Sequence, residues 1–351
     1  MSFRYAVLLT LSWLTMISAI SAHAAPDGAT LYLRYCGACH GEDGAGGIGV
    51  PLSLASFQAT IDDDYLRRSI RYGRPGRVMP AFTHFTDLEV DAIVRHVRSW
   101  NRGVALSYPR TPVHGDPRHG RQLYAKHCAG CHGANGGGGK GTGITLPRPR
   151  STSIVAPALN NPGFLASATD TMIKATLMKG REGTPMRSHI GQGLKEKDLN
   201  DIVSFVRSYA RAPKAESATL LYTESAIFTV DSPYDMPTTI ANLKKAVESN
   251  NYVFIREQAL TYGMVPEGQE DARQHIIYFC NFNQMNEAIT TDPRVGLFLP
   301  CRITVVEQNG KVKMMAVNPK RLSAIFNNSE LNTMCDEMAR RYMAIMEEAS
   351  L

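Results

Sequence analysis

The sequence lacks the features that mark several classes of protein. After residue 24 no apolar run approaches the length of a membrane span, and no Lys/Arg block or basic-aromatic motif predicts a nucleic-acid interface. Charged residues make up only 20% of the 351 positions, and hydrophobic residues make up 44%. This composition is that of a soluble globular chain, and it excludes disordered, collagen-like and coiled-coil proteins.

The formal charge of +6 is distributed unevenly along the chain. Residues 25–211 carry a net charge of +9, whereas residues 212–351 carry a net charge of −4. A basic part joined to a mildly acidic part predicts electrostatic docking, either on an acidic partner or between the two parts of the chain itself.

The first 24 residues have the pattern of a secretory signal peptide. Arg4 supplies a positive charge, residues 5–20 form an apolar run, and residues 22–24 (Ala-His-Ala) form a small-x-small cleavage site. The run is short for a membrane span, although an uncleaved anchor is the alternative. Cleavage leaves 327 of the 351 residues, enough for two or three domains. We therefore predict a periplasmic protein without a transmembrane helix.

The seven cysteines are placed in a way that indicates a cofactor. The pattern C-x-x-C-H occurs twice, at Cys36, Cys39 and His40, and at Cys128, Cys131 and His132. It is typical of c-type haem attachment, in which two thiols on one turn bond to the porphyrin and the adjacent His lies beneath the iron. A zinc site would need a second half-site in the same domain, which neither part of the chain offers, and a thioredoxin-like pair is the other alternative. Two copies behind a signal peptide predict two covalently attached c-type haems.

Both copies of the motif belong to a repeated module. Phe57 precedes Met79 by 22 residues, and Phe164 precedes Met186 by the same distance. Apolar periodicity predicts a helix at the start and at the end of each module, over 27–36, 87–100, 116–128 and 197–209. A glycine-rich segment follows each motif, but no preceding strand or Gly-Lys-Ser/Thr supports a phosphate-binding loop. The repeat predicts two small all-α domains, over 25–105 and 113–212.

These modules resemble the class I cytochrome c family, twice in tandem, over about residues 26–102 and 114–211. The resemblance rests on the C-x-x-C-H motif, the flanking helices and a downstream Met. It implies that a Pro carbonyl accepts a hydrogen bond from the haem His and that the Met is the second iron ligand. By position these residues are Pro51 and Met79 in the first module, and Pro157 and Met186 in the second.

The chemistry of the thioether supports these two methionines as iron ligands. Soft sulfur favours ferrous iron and raises the reduction potential, which suits an electron carrier. Each Met follows a glycine, Gly73 or Gly180, at the same spacing. The alternatives are that a Met fills the core, or that His84 or His189 binds the iron instead.

Residues 220–351 have the pattern of a different kind of domain. Strands are predicted over 226–230, 252–257, 275–282, 297–307 and 311–317, and amphipathic helices over 236–247 and 331–345. Asn309 and Gly310 predict a type I′ turn between the last two strands. The chain is therefore predicted to be multi-domain, with two all-α cytochrome c domains followed by an α+β domain.

The C-terminal region also resembles a bacterial family known only as domain of unknown function number three hundred and two. The resemblance rests on residues 278–281 (Tyr-Phe-Cys-Asn), residues 299–302 (Leu-Pro-Cys-Arg) and the hairpin at Gly310. The family implies a compact α+β fold and no established reaction.

Two of the C-terminal thiols carry a separate prediction. Cys280 and Cys301 lie on predicted neighbouring strands, and thiols that meet in an oxidising compartment seldom stay free. We predict that they form a disulfide or a redox-active pair. Two inert buried thiols, or a site for copper or another soft metal, are the alternatives.

Two functions fit these predictions. The first is a periplasmic dihaem cytochrome that carries electrons between redox proteins in a respiratory chain, with a C-terminal domain for docking or small-ligand binding. The second is a dihaem enzyme whose C-terminal domain binds a small sulfur or nitrogen substrate. Peroxide chemistry needs an open iron position and thiosulfate-type enzymes use a Cys ligand, but each module offers a Met and residues 25–211 hold no further thiol. We therefore favour the carrier.

A basic cluster in the first module is the predicted docking surface for an acidic redox partner. Its members are Arg67, Arg68, Arg71, Arg74 and Arg77. The alternative is a solvated helix face, because the acidic residues 62–64 lie alongside.

Overall fold

The computed structural model describes residues 25–47, 49–101, 106–139, 156–211 and 224–351. Two helical modules are followed by an α+β domain. The described part of the first module contains α1 Gly28–Tyr35, α2 Gly37–His40, α3 Ala55–Gln58, α4 Asp63–Tyr72 and α5 Asp87–Ser99. The second repeats this order with α6 Pro117–His127, α7 Ala129–His132, α8 Pro162–Ser167, α9 Asp170–Lys179 and α10 Glu196–Ser208.

The first and last helices of each module cross at a glycine. A Cβ on Gly28 would lie 2.0 Å from the carbonyl oxygen of Ala92, and a Cβ on Gly120 would lie 1.9 Å from that of Asp201. Glycine is the residue that allows two backbones to approach this closely. The crossing packs α1 on α5 and α6 on α10, so each C-x-x-C-H motif begins from a firmly held helix.

The apolar faces predicted for the last helices form the core of the modules. Ile93 and Val97 on α5, and Ile202 and Val206 on α10, are each at most 3% exposed. The buried apolar residues of both modules form one continuous hydrophobic cluster. The two modules therefore pack as one body.

The C-terminal domain is built on a five-stranded antiparallel sheet in the order β1-β5-β4-β3-β2. Its strands are β1 Ile227–Ser232, β2 Val253–Ala259, β3 Gln274–Cys280, β4 Cys301–Gln308 and β5 Lys311–Val317. Its helices are α11 Met236–Ser249, α12 Phe282–Thr291, α13 Lys320–Ile325 and α14 Asn332–Ala349. Helices α11 and α14 share one hydrophobic cluster with the sheet. Asn309 and Gly310 have φ angles of 55° and 70°, as the predicted type I′ turn requires.

The predicted fold class is confirmed, whereas strand boundaries differ from the predictions by up to four residues, and two of these differences follow from side-chain capping. The strand expected from residue 297 begins at Cys301, because Asp292 caps a short 3-10 helix over Pro293–Phe298. The strand expected to reach residue 282 ends at Cys280, because the Asn281 side chain caps α12. Side-chain capping of the neighbouring helices therefore makes one strand start later and the other end earlier than predicted. The alternation of apolar residues alone does not reveal these caps.

The predicted signal peptide over 1–24 lies outside the described residues. Within the described ranges, no helix combines the length and the apolar character needed to cross a membrane.

Candidate functional site

The first C-x-x-C-H motif forms a tight turn at the end of α1. Its His40 Nδ1 lies 2.9 Å from the carbonyl oxygen of Val50, which orients the ring and leaves Nε2 free. Burial lowers the pKa of His40, so the imidazole is neutral and able to bind a metal. The sequence predicts the carbonyl of Pro51 at this place, and that prediction is wrong by one residue. The chain passes so close to the ring at Gly49 that a Cβ there would lie 2.4 Å from the imidazole, and this brings the next carbonyl onto Nδ1.

The second motif repeats this arrangement. The Nδ1 atom of His132 lies 2.9 Å from the carbonyl oxygen of Pro157, which is the residue that the family resemblance indicates. Burial lowers the pKa of His132 and raises the pKa of the Cys128 thiol to about 11. The two modules therefore present the same neutral, oriented imidazole next to a pair of cysteines.

A cleft in the first module joins the predicted iron ligands. His40 and Met79 both lie in its wall. Most of the wall is apolar, with Leu52, Leu66 and Ile93 among the lining side chains. Cofactor pockets are typically apolar clefts with a few polar groups. The residues present therefore fit a flat, largely apolar group with a metal at its centre.

The two methionine loops are closed by the same backbone hydrogen bond. The Arg74 N–H donates to the carbonyl of Met79 at 2.8 Å, and the Arg181 N–H donates to the carbonyl of Met186 at 2.6 Å. Each loop begins at a glycine with positive φ, where a Cβ would lie 2.4 Å from the returning backbone. Met79 and Met186 therefore occupy equivalent positions in the two modules.

A partly buried positive charge lies at the boundary between the modules. The Arg181 guanidinium lies 4.8 Å from the ring centroid of Phe57 and donates to Thr60 Oγ1 at 2.9 Å. Desolvation lowers the pKa of Arg181, and no carboxylate among the described residues pairs with it. A desolvated guanidinium without a counter-ion is costly, so this position favours an anionic group, and haem propionates have that chemistry.

Each methionine loop also contacts the other module. The Asn161 side chain donates to the carbonyl of Pro75 at 2.8 Å, and Ser56 Oγ donates to the carbonyl of Glu182 at 2.7 Å. Pro75 and Glu182 occupy equivalent positions in the two loops. The contact is therefore approximately two-fold symmetric, like the interface of a homodimer.

Comparison with known families agrees with this geometry. The family described as cytochrome C oxidase, cbb3-type, subunit III matches residues 23–97, and the cytochrome c family matches residues 118–210. The domain of unknown function DUF302 matches residues 228–349. The chain contains two cytochrome c-type domains and a DUF302 domain. Two cytochrome c domains carry two covalently bound c-type haems with iron.

Relatives of known type resemble parts of the chain. A cbb3-type cytochrome c oxidase subunit CcoP from Rubrivivax gelatinosus is 31% identical over 121 residues, which are 33% of this chain and 34% of that protein. The subunit CcoP from Azospirillum sp. (strain B510) is 27% identical over 175 residues, which are 46% of this chain and 54% of that protein. The chain thus spans about a third to a half of the length of these curated relatives.

Two solved structures are also similar in part. The crystal structure of an uncharacterized conserved DUF302 protein from Bacillus stearothermophilus is 22% identical, covers 35% of this chain and 98% of its own, and has a TM-score of 0.33. The Kuenenia stuttgartiensis reducing HAO-like protein complex is 21% identical, covers 52% of this chain and 95% of its own, and has a TM-score of 0.34.

The alternative ligand candidates lie in different surroundings. His84 is exposed and packs beside Phe85, with ring centroids 4.5 Å apart. His189 is buried, its Nδ1 lies 3.1 Å from the carbonyl oxygen of Arg187, and it lowers the pKa of His132 through its charge. Of the two, only His189 lies near a haem His.

The arginine cluster of the first cytochrome c domain is engaged within the chain. Three members pair with carboxylates of their own domain: Arg67 with Asp91, Arg68 with Asp64, and Arg71 with Asp87. Arg74 lies in the wall of the haem cleft, and Arg77 pairs with Glu330 of the DUF302 domain. Four of the five arginines therefore form ion pairs within the chain, and the pair of Arg77 and Glu330 joins the first module to the DUF302 domain. Docking of an acidic redox partner on this cluster stays a prediction.

The predicted pairing of the two DUF302 thiols is wrong. The register of β3 and β4 places Phe279 opposite Cys301, so Cys280 lies on the other face of the sheet. Cys280 Sγ donates to Met285 Sδ at 3.6 Å, and burial raises the pKa of Cys280 to about 11. Cys301 is buried at 5% exposure on the side of the α11–α14 core. Both are protonated core thiols, because adjacent sheet positions alternate between faces.

The DUF302 domain contains a cavity that sequence analysis does not reveal. Its wall is largely apolar, with Val295, Leu322 and Met338 among the lining side chains. Cys301 and Tyr342 also line it, and burial raises the pKa of Tyr342 well above its usual value. Neither group is ionised near neutral pH, so the cavity has no obvious general base.

Proposed function

We propose that the protein is a periplasmic dihaem c-type cytochrome that carries electrons between redox proteins of a respiratory chain, with His/Met ligation at both haems. When bound, each haem iron takes up and releases one electron. The observation that carries the proposal is the likeness of the two methionine loops, together with the cleft that His40 and Met79 share. Two closed axial positions suit a carrier and leave no site for a substrate on the iron.

Each residue has a defined task in this proposal. Cys36 and Cys39, and Cys128 and Cys131, hold the porphyrin through thioether bonds, and His40 and His132 are the proximal ligands. The hydrogen bonds that their Nδ1 atoms make to Val50 and Pro157 hold each ring in one orientation. Met79 and Met186 are the second ligands. Ligands fixed in this way change little in geometry between the two oxidation states.

Arg74 and Arg181 have corresponding tasks. Arg74 lies in the wall of the first cleft, and Arg181 lies at the boundary between the modules beside Phe57 and Thr60 of the first. We propose that both guanidinium groups bind haem propionates, whose negative charge would give Arg181 a counter-ion. The arrangement places Arg74 and Arg181 near the boundary between the two modules and supports electron exchange between the two haems within the chain.

The test is spectroscopic and uses the intact ferric holoprotein. Met79→Ala and Met186→Ala should each remove about half of the methionine-to-iron charge-transfer absorption, because each haem contributes one such bond. Met178→Ala is the matched control, since Met178 is 41% exposed on α9, and it should leave the absorption unchanged.

Two results would contradict the proposal. A high-spin haem in the unmutated protein would mean an open iron position and would revive peroxidase-like catalysis. Rapid reduction of the oxidised protein by a small sulfur or nitrogen compound would favour the enzyme, provided that the reduction depends on the DUF302 domain.

A further inference from the structure

The first methionine loop is bonded to a segment of the DUF302 domain that follows α13. Asn327 has a left-handed backbone with φ of 49°, and its side chain reaches into the loop. Its Oδ1 accepts from the Gly76 N–H at 2.7 Å, and its Nδ2 donates to the carbonyls of Arg74 at 3.0 Å and Met79 at 2.9 Å. Its own carbonyl accepts from the Val78 N–H at 2.6 Å. One residue therefore makes four hydrogen bonds to the loop that carries Met79.

The loop contains a strained residue next to the methionine. Val78 has φ of 72°, a left-handed conformation that is unfavourable for a β-branched side chain. Such a conformation persists where the surroundings determine it. Here the surroundings include the hydrogen bond from the Val78 N–H to Asn327. The strained conformation at Val78 therefore depends on contact with the DUF302 domain.

The segment that carries Asn327 is itself firmly held. Asp292 and Arg294 form an ion pair with an N–O distance of 2.6 Å, and Asp292 also accepts from the Asn328 side chain at 3.1 Å. Arg294 donates to the carbonyl of Phe326 at 2.7 Å and lies 4.8 Å from its ring centroid. The neighbours of Asn327 on both sides are thus tied to one ion pair, of which Asp292 is buried and Arg294 is partly exposed. A rigid segment can hold the loop in one position.

Arg77 adds a further link between the first methionine loop and the DUF302 domain. It pairs with Glu330 and also donates to the carbonyl of Gly139 of the second module at 2.7 Å. The loop is therefore bonded to the DUF302 domain through Arg77 as well as through the residues that Asn327 contacts.

The second methionine loop has no equivalent link. Pro185 stands at the position of Val78 and Thr184 at that of Arg77. Among the residues that the structure describes, no hydrogen bond joins the loop from Gly180 to Met186 to the DUF302 domain. Any effect of the DUF302 domain on a methionine ligand should therefore be confined to the first haem.

We infer that Asn327 is a positioning residue for Met79, and that the DUF302 domain controls how readily Met79 leaves the first haem iron. The inference rests on the proposed function, since it requires Met79 to be a ligand. The Asn327 side chain forms hydrogen bonds with the carbonyls of Met79 and Arg74 and with the N–H of Gly76. Displacing the Met79 thioether from the iron therefore requires these hydrogen bonds to break, or Asn327 to move with the loop. Exogenous ligands should therefore bind the first haem iron more weakly than they would if Asn327 did not hold the loop.

The experiment measures imidazole binding to the ferric full-length holoprotein. Asn327→Gly removes the three side-chain hydrogen bonds and keeps the left-handed backbone accessible. It should increase the apparent imidazole affinity about tenfold at one haem of the two, the effect expected when one or two net hydrogen bonds are lost. Asn309→Gly is the matched control, because Asn309 is also left-handed, lies in the same domain and is exposed in the β4–β5 turn. It should bind imidazole as the unmutated protein does.

A second variant and a second readout protect the test against a folding defect. Asn327→Asp keeps the size of the side chain and loses the donors to Arg74 and Met79. Amide hydrogen exchange over residues 74–79 should be faster in both Asn327 variants than in Asn309→Gly. Adding Met186→Ala removes the methionine absorption of the other haem, so the remaining absorption reports on Met79 alone.

The possible failures are distinguishable. Imidazole binding and exchange that are the same in the Asn327 variants and in Asn309→Gly would overturn the inference and leave the proposed function intact. An equal effect on both haems would also overturn it, because the link reaches one loop. An unmutated protein in which the first haem has no methionine bond would overturn the proposed function and this inference together.

Discussion

The two methionine loops share a closing hydrogen bond but differ at the residue before the methionine. In the first, Val78 has a left-handed φ of 72° and bonds its N–H to Asn327 of another domain. In the second, the corresponding residue is Pro185, whose ring restricts φ to about −65° and which has no N–H to satisfy. The second loop is therefore stiffened by its own covalent structure, whereas the first depends on a neighbour. A repeated motif can thus keep its closing hydrogen bond while its stability comes from a different source.

The side chains beside the two haem-attachment motifs also differ. Beside the first motif, the rings of Tyr35 and Phe82 lie 6.4 Å apart. At the corresponding positions beside the second motif stand His127 and His189, with ring centroids 6.5 Å apart. The first site therefore has two aromatic rings where the second has two imidazoles, and Cys131 of the second motif is exposed whereas Cys39 of the first is half-buried.

The largest expected effect comes from the contact between the first methionine loop and α8. Gly163 lies in the first turn of α8, and a Cβ there would lie 2.1 Å from the carbonyl oxygen of Gly73, a backbone atom that cannot easily move. Gly163→Ala should lower the free energy of unfolding of the holoprotein by about 1–3 kcal/mol, because overpacking forces the modules apart. Denaturant titration measures the change. Gly296→Ala is the control, since no atom lies within 4 Å of the added methyl group, and a similar loss there would contradict the assignment.

An exchange of loop residues should give unequal effects. Val78→Pro requires a φ that the first loop does not have and removes the donor to Asn327, so it should cost more than about 1 kcal/mol and weaken the methionine absorption. Pro185→Val should cost only about 0.4–1 kcal/mol, because it mainly adds freedom to the unfolded chain. Thermal unfolding followed through the methionine absorption separates the two. A stable Val78→Pro protein with full absorption would show that the left-handed residue is unnecessary.

The smallest effects concern the arginines. Arg77 and Glu330 are each 23% exposed, whereas Arg67 and Asp91 are 42% and 36% exposed. Arg77→Ala should cost about 1 kcal/mol, because partly buried charge-assisted bonds are lost, and Arg67→Ala should cost less than about 0.5 kcal/mol. Urea unfolding at low and high salt measures both. Equal values for the two variants would mean that the pair between Arg77 and Glu330 does not help to hold the DUF302 domain.

Sequence reasoning reached the haem sites because their signals are local. The attachment motifs occupy five consecutive residues, and the spacing of Phe57 and Met79 recurs in Phe164 and Met186. The residue whose carbonyl accepts the hydrogen bond from His40 was harder to predict. The choice between Val50 and Pro51 depends on how closely the loop passes the imidazole ring at Gly49. Spacing indicates which segment faces a ligand, and packing decides which atom does.

The thiols illustrate the opposite case. Cys280 and Cys301 lie on neighbouring strands, as predicted, but the register of β3 and β4 puts them on opposite faces of the sheet. Strand alternation makes the outcome depend on a single residue of register. That register is established by pairing across the sheet, and the composition of either strand does not contain it.

Local pattern was enough to establish the two haem-binding modules, their methionine loops and the α+β class of the last domain. The spacing of motif residues and the periodicity of helices and strands extend over only a few residues, so they can be recognised in the sequence. The link between Asn327 and Met79 joins residues 248 positions apart, and the partly buried charge of Arg181 lies against a different module. Such contacts depend on how finished domains pack, and packing free energy is summed over surfaces that no short segment contains.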